Sequence, residues 1–408
     1  MKDASSIKGP TGTSPGIELN GGWHDAGDYV KFTLTTAYST YLLLLAYQQF
    51  PELFDHWISF GLPAPLQEAK IGLEWLMKAH PTENRLISQV QSSLDHDIGW
   101  RLPESDPLTD TRVGWEFSSK ATAGSAAAAL ALGSAIFSKR GDDQFAAKCL
   151  QHASQIFALT LSNALPDREN RPDSNYYDNN SSDNIALGAI ELYRATNDFQ
   201  YLQISKQLTD SIGAGGWISW GDVQGLAAFR LAEYYPDARE NLGRALEEYR
   251  KNGEKNPYCY PFDFYPWGSS NLQSGIGILA AVYELAGGGD GYRYLAARQR
   301  DALFGANPFG ISYFSGVGDR FARNFHHQVA FIKKVTLPGA IAEGPISRKE
   351  FDAASIRLEN ADPLLSLQSE AAVYHDDRMD YLTNEPTISG NAQAYFLLCW
   401  YAKGYHSR

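Results

Sequence analysis

From Thr36 to Tyr401 the chain breaks into about a dozen stretches of helical length, and the period-two alternation of half-buried strands is scarce. The stretches are 36–49, 63–79, 121–137, 143–163, 183–195, 199–212, 222–234, 238–251, 271–285, 292–304 and 391–401. Several open behind an Asp, a favoured N-cap because its carboxylate accepts from free N–H groups of the first turn. The stretch 121–137 is rich in alanine, which predicts close packing. Short and long connections alternate, and no fixed repeat of roughly 20 to 50 residues marks a solenoid. Consecutive helix pairs with long intervening loops fit a closed double ring, an all-α (α/α)6 barrel of about twelve helices. One face of such a ring carries the long loops and builds a cleft.

With 408 residues at 44% hydrophobic content, the chain can bury a large core. No linker, composition break or charge run divides it, so the expected organisation is a polar segment over 1–20 and one catalytic domain over 21–408. The net charge of -12 argues against nucleic acid and anionic membrane surfaces. No run of some 18 apolar residues predicts a membrane span. Met1 to Asn20 lacks an apolar signal-peptide core, which reads as a trimmed chain or a cytoplasmic protein. Cys149, Cys259 and Cys399 are odd in number and far apart, so no disulfide framework and no Cys metal pair is expected. Aromatic residues make up 13%, including nine Trp and 23 Tyr. Their flat apolar faces with polar edges suit sugar rings, although they also serve a core.

The loops carry the chemistry. Gly21 to Phe32 is too broken by glycine for a helix and too polar for a core strand, and it sets Asp25 and Asp28 side by side. Paired carboxylates of this kind can hold and deprotonate a water; a cation-binding or helix-capping loop is the other reading. A second long loop holds Asp95-His96 and Trp100 to Glu104, and a third runs from Gly213 to Trp220. Glu385 lies in a polar loop ahead of the last helix. Near aromatics its carboxyl would be held protonated and could donate to a leaving oxygen; otherwise it belongs to a solvated charge cluster. His326 and His327 are adjacent and point to opposite faces of an extended chain, so they do not chelate one ion together. One of them can bond a sugar hydroxyl, or both can simply pack. No His-x-x-x-His pair marks zinc, and no Gly-x-Ser-x-Gly elbow supports a serine nucleophile. Gly287 to Gly289 follow a helix and read as a C-cap.

Taken in order, these motifs resemble glycoside hydrolase family nine, the (α/α)6-barrel cellulases. The matching segments are Gly-Gly-Trp-His-Asp-Ala-Gly-Asp-Tyr-Val-Lys-Phe at 21–32, Asp95-His96 with Trp100 to Glu104, and Tyr265 to Asn271. They continue with Asn307-Pro308, His326-His327, Pro338-Gly339-Ala340, Asp377 to Tyr381 and Asn384-Glu385. The resemblance implies an inverting endo-β-1,4-glucanase. Asp28 would be the general base, Asp25 would help hold the water, and Glu385 would be the general acid, with base and acid roughly 6.5–9.5 Å apart. Sugar contacts would come from His96, Trp100, Trp217, Trp267, His326 and Arg378. The implied partner is a β-glucan or oligosaccharide, the expected state a monomer, and the implied location secreted or periplasmic. No cofactor is expected for catalysis. A family calcium loop would fall near Ser181 to Asp183 and Asp222, but Asn184 replaces the expected Glu and weakens it. The immunoglobulin-like domain that precedes many related barrels is missing from the sequence. Gln328 stands where an Arg is usual and Gly390 where a Tyr is usual, both near the cleavage point. Those departures keep open an exo-acting cellobiosidase, β-glucosidase or β-glucosaminidase, and a non-hydrolytic carbohydrate-binding protein.

Overall fold

The computed structural model describes residues 3–54, 56, 58–59, 61–168, 176 and 178–406. Much of the connection between the helical stretches read at 143–163 and 183–195 lies outside them. Eleven helices of eight residues or more follow one another among the described residues. They are α1 (Thr33–Gln49), α2 (Ala64–Ala79), α3 (Lys120–Lys139), α4 (Asp143–Leu161), α5 (Ser182–Thr196) and α6 (Phe199–Ile212). Then come α7 (Gln224–Leu231), α8 (Arg239–Gly253), α9 (Ser269–Tyr283), α10 (Arg293–Leu303) and α11 (Ile388–His406). The odd-numbered helices pack in sequence, α1 on α3, α3 on α5, α5 on α7, α7 on α9, α9 on α11, and α11 back on α1. This closes an inner ring of six. The even-numbered helices lie outside it, each against the inner helix before it.

Burial follows this division. In α3 every residue from Ala121 to Ser134 is buried, whereas α8 buries only a stripe around Leu242, Ala245 and Leu246. By length and composition α3 could cross a membrane, but here it is a core helix of the ring. Alanine and glycine let its backbone approach α5: a Cβ on Gly124 would stand 2.6 Å from the Asn184 backbone. Ser119, Asp142 and Asp198 cap α3, α4 and α6 through their side chains. Across the ring, Arg230 of α7 and Tyr41 of α1 both donate to Glu191 of α5, at 2.5 and 2.7 Å.

Three inner helices lead to outer ones through short turns at 140–142, 197–198 and 232–238, while α1 and α9 do so through 50–63 and 284–292. Outer helices return through the long segments 80–119, 162–181, 213–223, 254–268 and 304–387. The long segments therefore run into the N-termini of inner helices and gather at one end of the ring. A small sheet braces that end. Its strands are β1 (Ser6–Gly9), β2 (Gly12–Pro15), β3 (Lys31–Phe32), β4 (Gln89–Val90) and β5 (Val113–Trp115), in the order β2-β1-β5-β4-β3. β1 runs parallel to β5, and the other pairs are antiparallel. Ser6–Gly9 and Gly12–Pro15, from the segment expected to be a separate polar stretch, are thus built into the sheet. At two to four residues, these strands are too short to show period-two patterning.

Candidate active site

Asp25 and Asp28 sit in the loop that enters α1 through β3. Within the loop, the Asp25 N–H donates to Val30 O at 2.9 Å, and Asp28 Oδ1 accepts from the Val30 N–H at 2.7 Å. The floor is a charge-balanced buried network. Lys31 and Arg112 clasp Asp3 at 2.6 and 2.8 Å, and Arg101 bonds Asp95 and Asp106, both at 2.7 Å. Arg112, wholly buried, also reaches Asp95, Asp106 and the Tyr29 carbonyl. Asp95 accepts the Tyr29 N–H at 3.0 Å. Fixed hydrogen bonds from several directions hold the loop backbone.

Distant segments then close on this loop through main-chain bonds. The Gln328 N–H donates to Gly27 O at 3.1 Å, and the His326 N–H to Asn384 O at 3.0 Å. The Ile388 N–H, at the start of α11, donates to Asp25 O at 2.9 Å. Gly27 lies hard against this seam, since a Cβ there would be 2.1 Å from His326 O. Its N–H donates to Glu385 Oε1 at 2.9 Å, tying the C-terminal carboxyl directly to the Asp loop.

Asp25, Asp28 and Glu385 line one pocket of about 550 Å³, together with His96, Trp100, His326 and Gln328. A second pocket of about 480 Å³ continues past Glu385, sharing Tyr176 and Trp267 and adding Trp217, Trp220, Asp222 and Glu343. Among the described residues no Lys or Arg lines either one. Burial, with Asp28 close by, pushes the Glu385 carboxyl well above the usual carboxylate range. Burial also raises Asp25 to about 6, against hydrogen bonds from Thr35 and Tyr176 that favour its anion. The His96 ring bonds Asp28 Oδ2, and this bond raises the imidazole pKa. Burial lowers that of His326. His326 Nδ1 lies 2.7 Å from the Arg378 carbonyl, so it carries the proton and leaves Nε2 as an acceptor.

Of the residues singled out in the sequence, His96, Trp100 and His326 line the first pocket, Trp217 the second and Trp267 both. Arg378 is different. Its guanidinium pairs with Glu359 and lies 3.5 Å from the Phe331 ring centroid, outside both pockets; only its carbonyl reaches His326. Gln328 is buried and accepts from the Arg101 N–H at 3.0 Å. Sequence reasoning passed over Gly27, Tyr176 and Glu343. The signal for Glu343 was a lone acid between Ala340-Ile341-Ala342 and Gly344-Pro345.

The loop suspected of holding calcium has its own geometry. As placed, Asn184 Nδ2 donates to Ser125 Oγ at 2.9 Å; turned over, the amide would instead donate to Asn180 O, Asp178 Oδ2 and Asp183 Oδ1 at 3.0, 3.0 and 3.1 Å, with its oxygen accepting from Ser125. Asp183 also accepts from the Val223 N–H at 2.8 Å, and Asp222 from the Gly216 N–H at 2.7 Å. Among the described residues no cluster of three or more His, Cys, Asp or Glu is arranged to hold a metal. In that orientation an amide donor meets the acceptors a cation would take, and the residues present do not fit a calcium centre.

Comparison with known proteins gives a consistent result. Residues 1–398 match the family model described as glycosyl hydrolase family 9. Endoglucanase 5 of Arabidopsis thaliana is 26% identical over 441 residues, covering 94% of this chain and 68% of its own length. Endoglucanase 4 of a Bacillus species is 29% identical over 416 residues, covering 93% of this chain and 61% of its own. A metagenome-derived family 9 endoglucanase superposes with a TM-score of 0.81 at 26% identity, over 96% of this chain and 72% of its own. A C. cellulolyticum cellulase solved with cellobiose gives 0.77 at 25%, over 96% and 89%. The chain belongs to glycosyl hydrolase family 9, and its helices form the (α/α)6 barrel of that family's endoglucanases.

Proposed function

We propose that the domain over 21–408 acts as a monomeric, inverting endo-β-1,4-glucanase. In this reading Glu385 gives its proton to the glycosidic oxygen as the C1–O bond breaks. A water attacks C1 from the opposite face, losing its proton to Asp28 while Asp25 helps to hold it, and the product emerges with inverted configuration. His96 orients Asp28. Trp100, Trp217, Trp267 and His326 contact the sugars, and Arg378 acts through the carbonyl that orients His326. No bound metal takes part in the chemistry. The observation that carries the reading is a carboxyl biased toward protonation, bonded to the backbone of the loop that supplies two more carboxylates. Polymeric glucan lies outside the cytoplasm, so export belongs to the same proposal and cell fractionation checks it.

The test uses soluble β-1,4-glucan. Viscosity should fall faster than reducing ends appear, and proton NMR should show the α-anomer first. Slow viscosity loss with steady release of small sugars would instead mean exo action, and a β-anomer would overturn inversion. Asp28→Ala should abolish hydrolysis while oligosaccharide binding persists.

A further inference from the structure

Glu343 is a buried carboxyl for which the proposed chemistry has no use. It is 5% exposed, yet it lines the pocket beyond Glu385 with Trp217 and Trp267. Its Oε1 accepts from Asn271 Nδ2 at 3.1 Å and from Thr387 Oγ1 at 3.0 Å. Among the described residues its Oε2 accepts no hydrogen bond, and Glu343 forms no ion pair. Its main chain is locked to the acid, for the Glu343 N–H donates to Glu385 O at 3.1 Å. An acidic group held this firmly, without a cationic partner, is costly to bury unless something completes it.

Gly390 explains how the group is held. A Cβ at 390 would meet Asn271 Oδ1 at 2.2 Å. With no side chain at 390, Asn271 occupies that space and turns its amide nitrogen onto Glu343. The departure at 390 and the carboxyl at 343 are therefore one arrangement.

We propose that Glu343 determines specificity by accepting a hydrogen bond, through Oε2, from an O–H or N–H substituent of the sugar bound beyond Glu385. The inference rests on the hydrolase reading above and adds the group that selects the sugar. A ring hydroxyl supplies such a donor in a neutral glucan, and an ammonium group supplies it in a 2-amino sugar. A pocket lined by acids, with no Lys or Arg among its described lining residues, accommodates both.

The experiment compares wild type, Glu343→Gln and Glu343→Asp on cello-oligosaccharides and on glucosamine oligosaccharides of equal length. Hydrolysis and calorimetric binding are measured together. Gln keeps an acceptor for Asn271 and Thr387 but can turn an N–H toward the sugar, so the acceptor at the Oε2 position is lost. Glu343→Gln, with an unchanged melting temperature, should weaken binding and raise KM by about tenfold or more, with kcat less affected. Glu343→Asp should fall between the two. Loss on both substrates assigns the donor to a hydroxyl; loss on the amino sugars alone assigns it to an ammonium group. Wild-type kcat, KM and Kd for folded Glu343→Gln on both substrates would overturn the proposal. Wild type that binds but does not cleave would sink the hydrolase reading, while the Kd ratio still decides on Glu343. Wild type that binds neither sugar would overturn both.

Discussion

Gly27→Ala tests whether the seam between the Asp loop and Glu385 sets the rate. The added methyl would sit 2.1 Å from His326 O, where ordinary contact begins near 3.4 Å. The two segments must separate by roughly 1 Å, but both are anchored. Gln328 bonds back to Gly27, and His326 is tied to Asn384 and to the Arg378 carbonyl. The strain falls on the 2.9 Å bond from Gly27 to Glu385. A displacement of this size between reacting groups costs about a hundredfold in rate, or about 2.7 kcal/mol of transition-state stabilisation. Steady-state kinetics on a soluble β-1,4-glucan should show kcat falling by about that factor, with sugar binding changed far less. Gly291→Ala is the control, because nothing lies within 4 Å of the site its Cβ would take. Wild-type kcat for a folded Gly27→Ala protein would refute the idea that this contact positions the acid.

Four further outcomes follow. Arg112→Met should cost about 3–5 kcal/mol of unfolding free energy, because Asp3, Asp95 and Asp106 lose a buried partner; chemical denaturation measures it. The basic limb of the pH–rate profile should lie well above the ordinary Glu value, since Glu385 must stay protonated, and Glu343→Gln should move that limb to lower pH by removing a repelling charge. Burial raises Asp178 to about 7 and Asp183 to about 8, so both favour the fold when protonated. Their contribution is complete below the ordinary Asp range and is lost as pH rises through about 7–8, so the melting temperature should drop over that interval and drop less in Asp183→Asn. Treatment with EDTA should leave activity and melting temperature unchanged, as the Asn184 amide supplies the donors in that loop.

Most of the ring was legible in the sequence because a helix buried on one stripe leaves a periodic trace, and one buried on all sides leaves an apolar run. The Ala-rich stretch read as 121–137 is α3 over Lys120–Lys139, and 222–234 shrinks to Gln224–Leu231. The sheet was illegible because its strands, two to four residues long, are too short to establish an alternation. In the site, Asp25 and Asp28 stood out as acids in a loop rich in glycine and aromatics, whereas Glu385 lay in a polar loop ahead of the last helix and gained its role from the family resemblance. Gly27 did not, since the need for a missing Cβ appears only when His326, three hundred positions away, lies against it. Arg378 shows the converse. Its residue type suits sugar binding, but Glu359 and Phe331 claim the guanidinium, and no local pattern reveals a partner fixed by folding.

The unequal connections divide the molecule into a part that bears load and a part that can vary. The turns at 140–142 and 197–198 leave no slack, so the helix pairs they join act as a clamp at their end of the double ring. At the opposite end, residues 213–223 and 254–268 return from outer to inner helices without contributing a strand to the brace. A change of length or sequence there alters which saccharide units find a wall beside them and leaves the clamp untouched. One scaffold can in this way be refitted for polymers of different shape by editing two segments that hold none of the three acids.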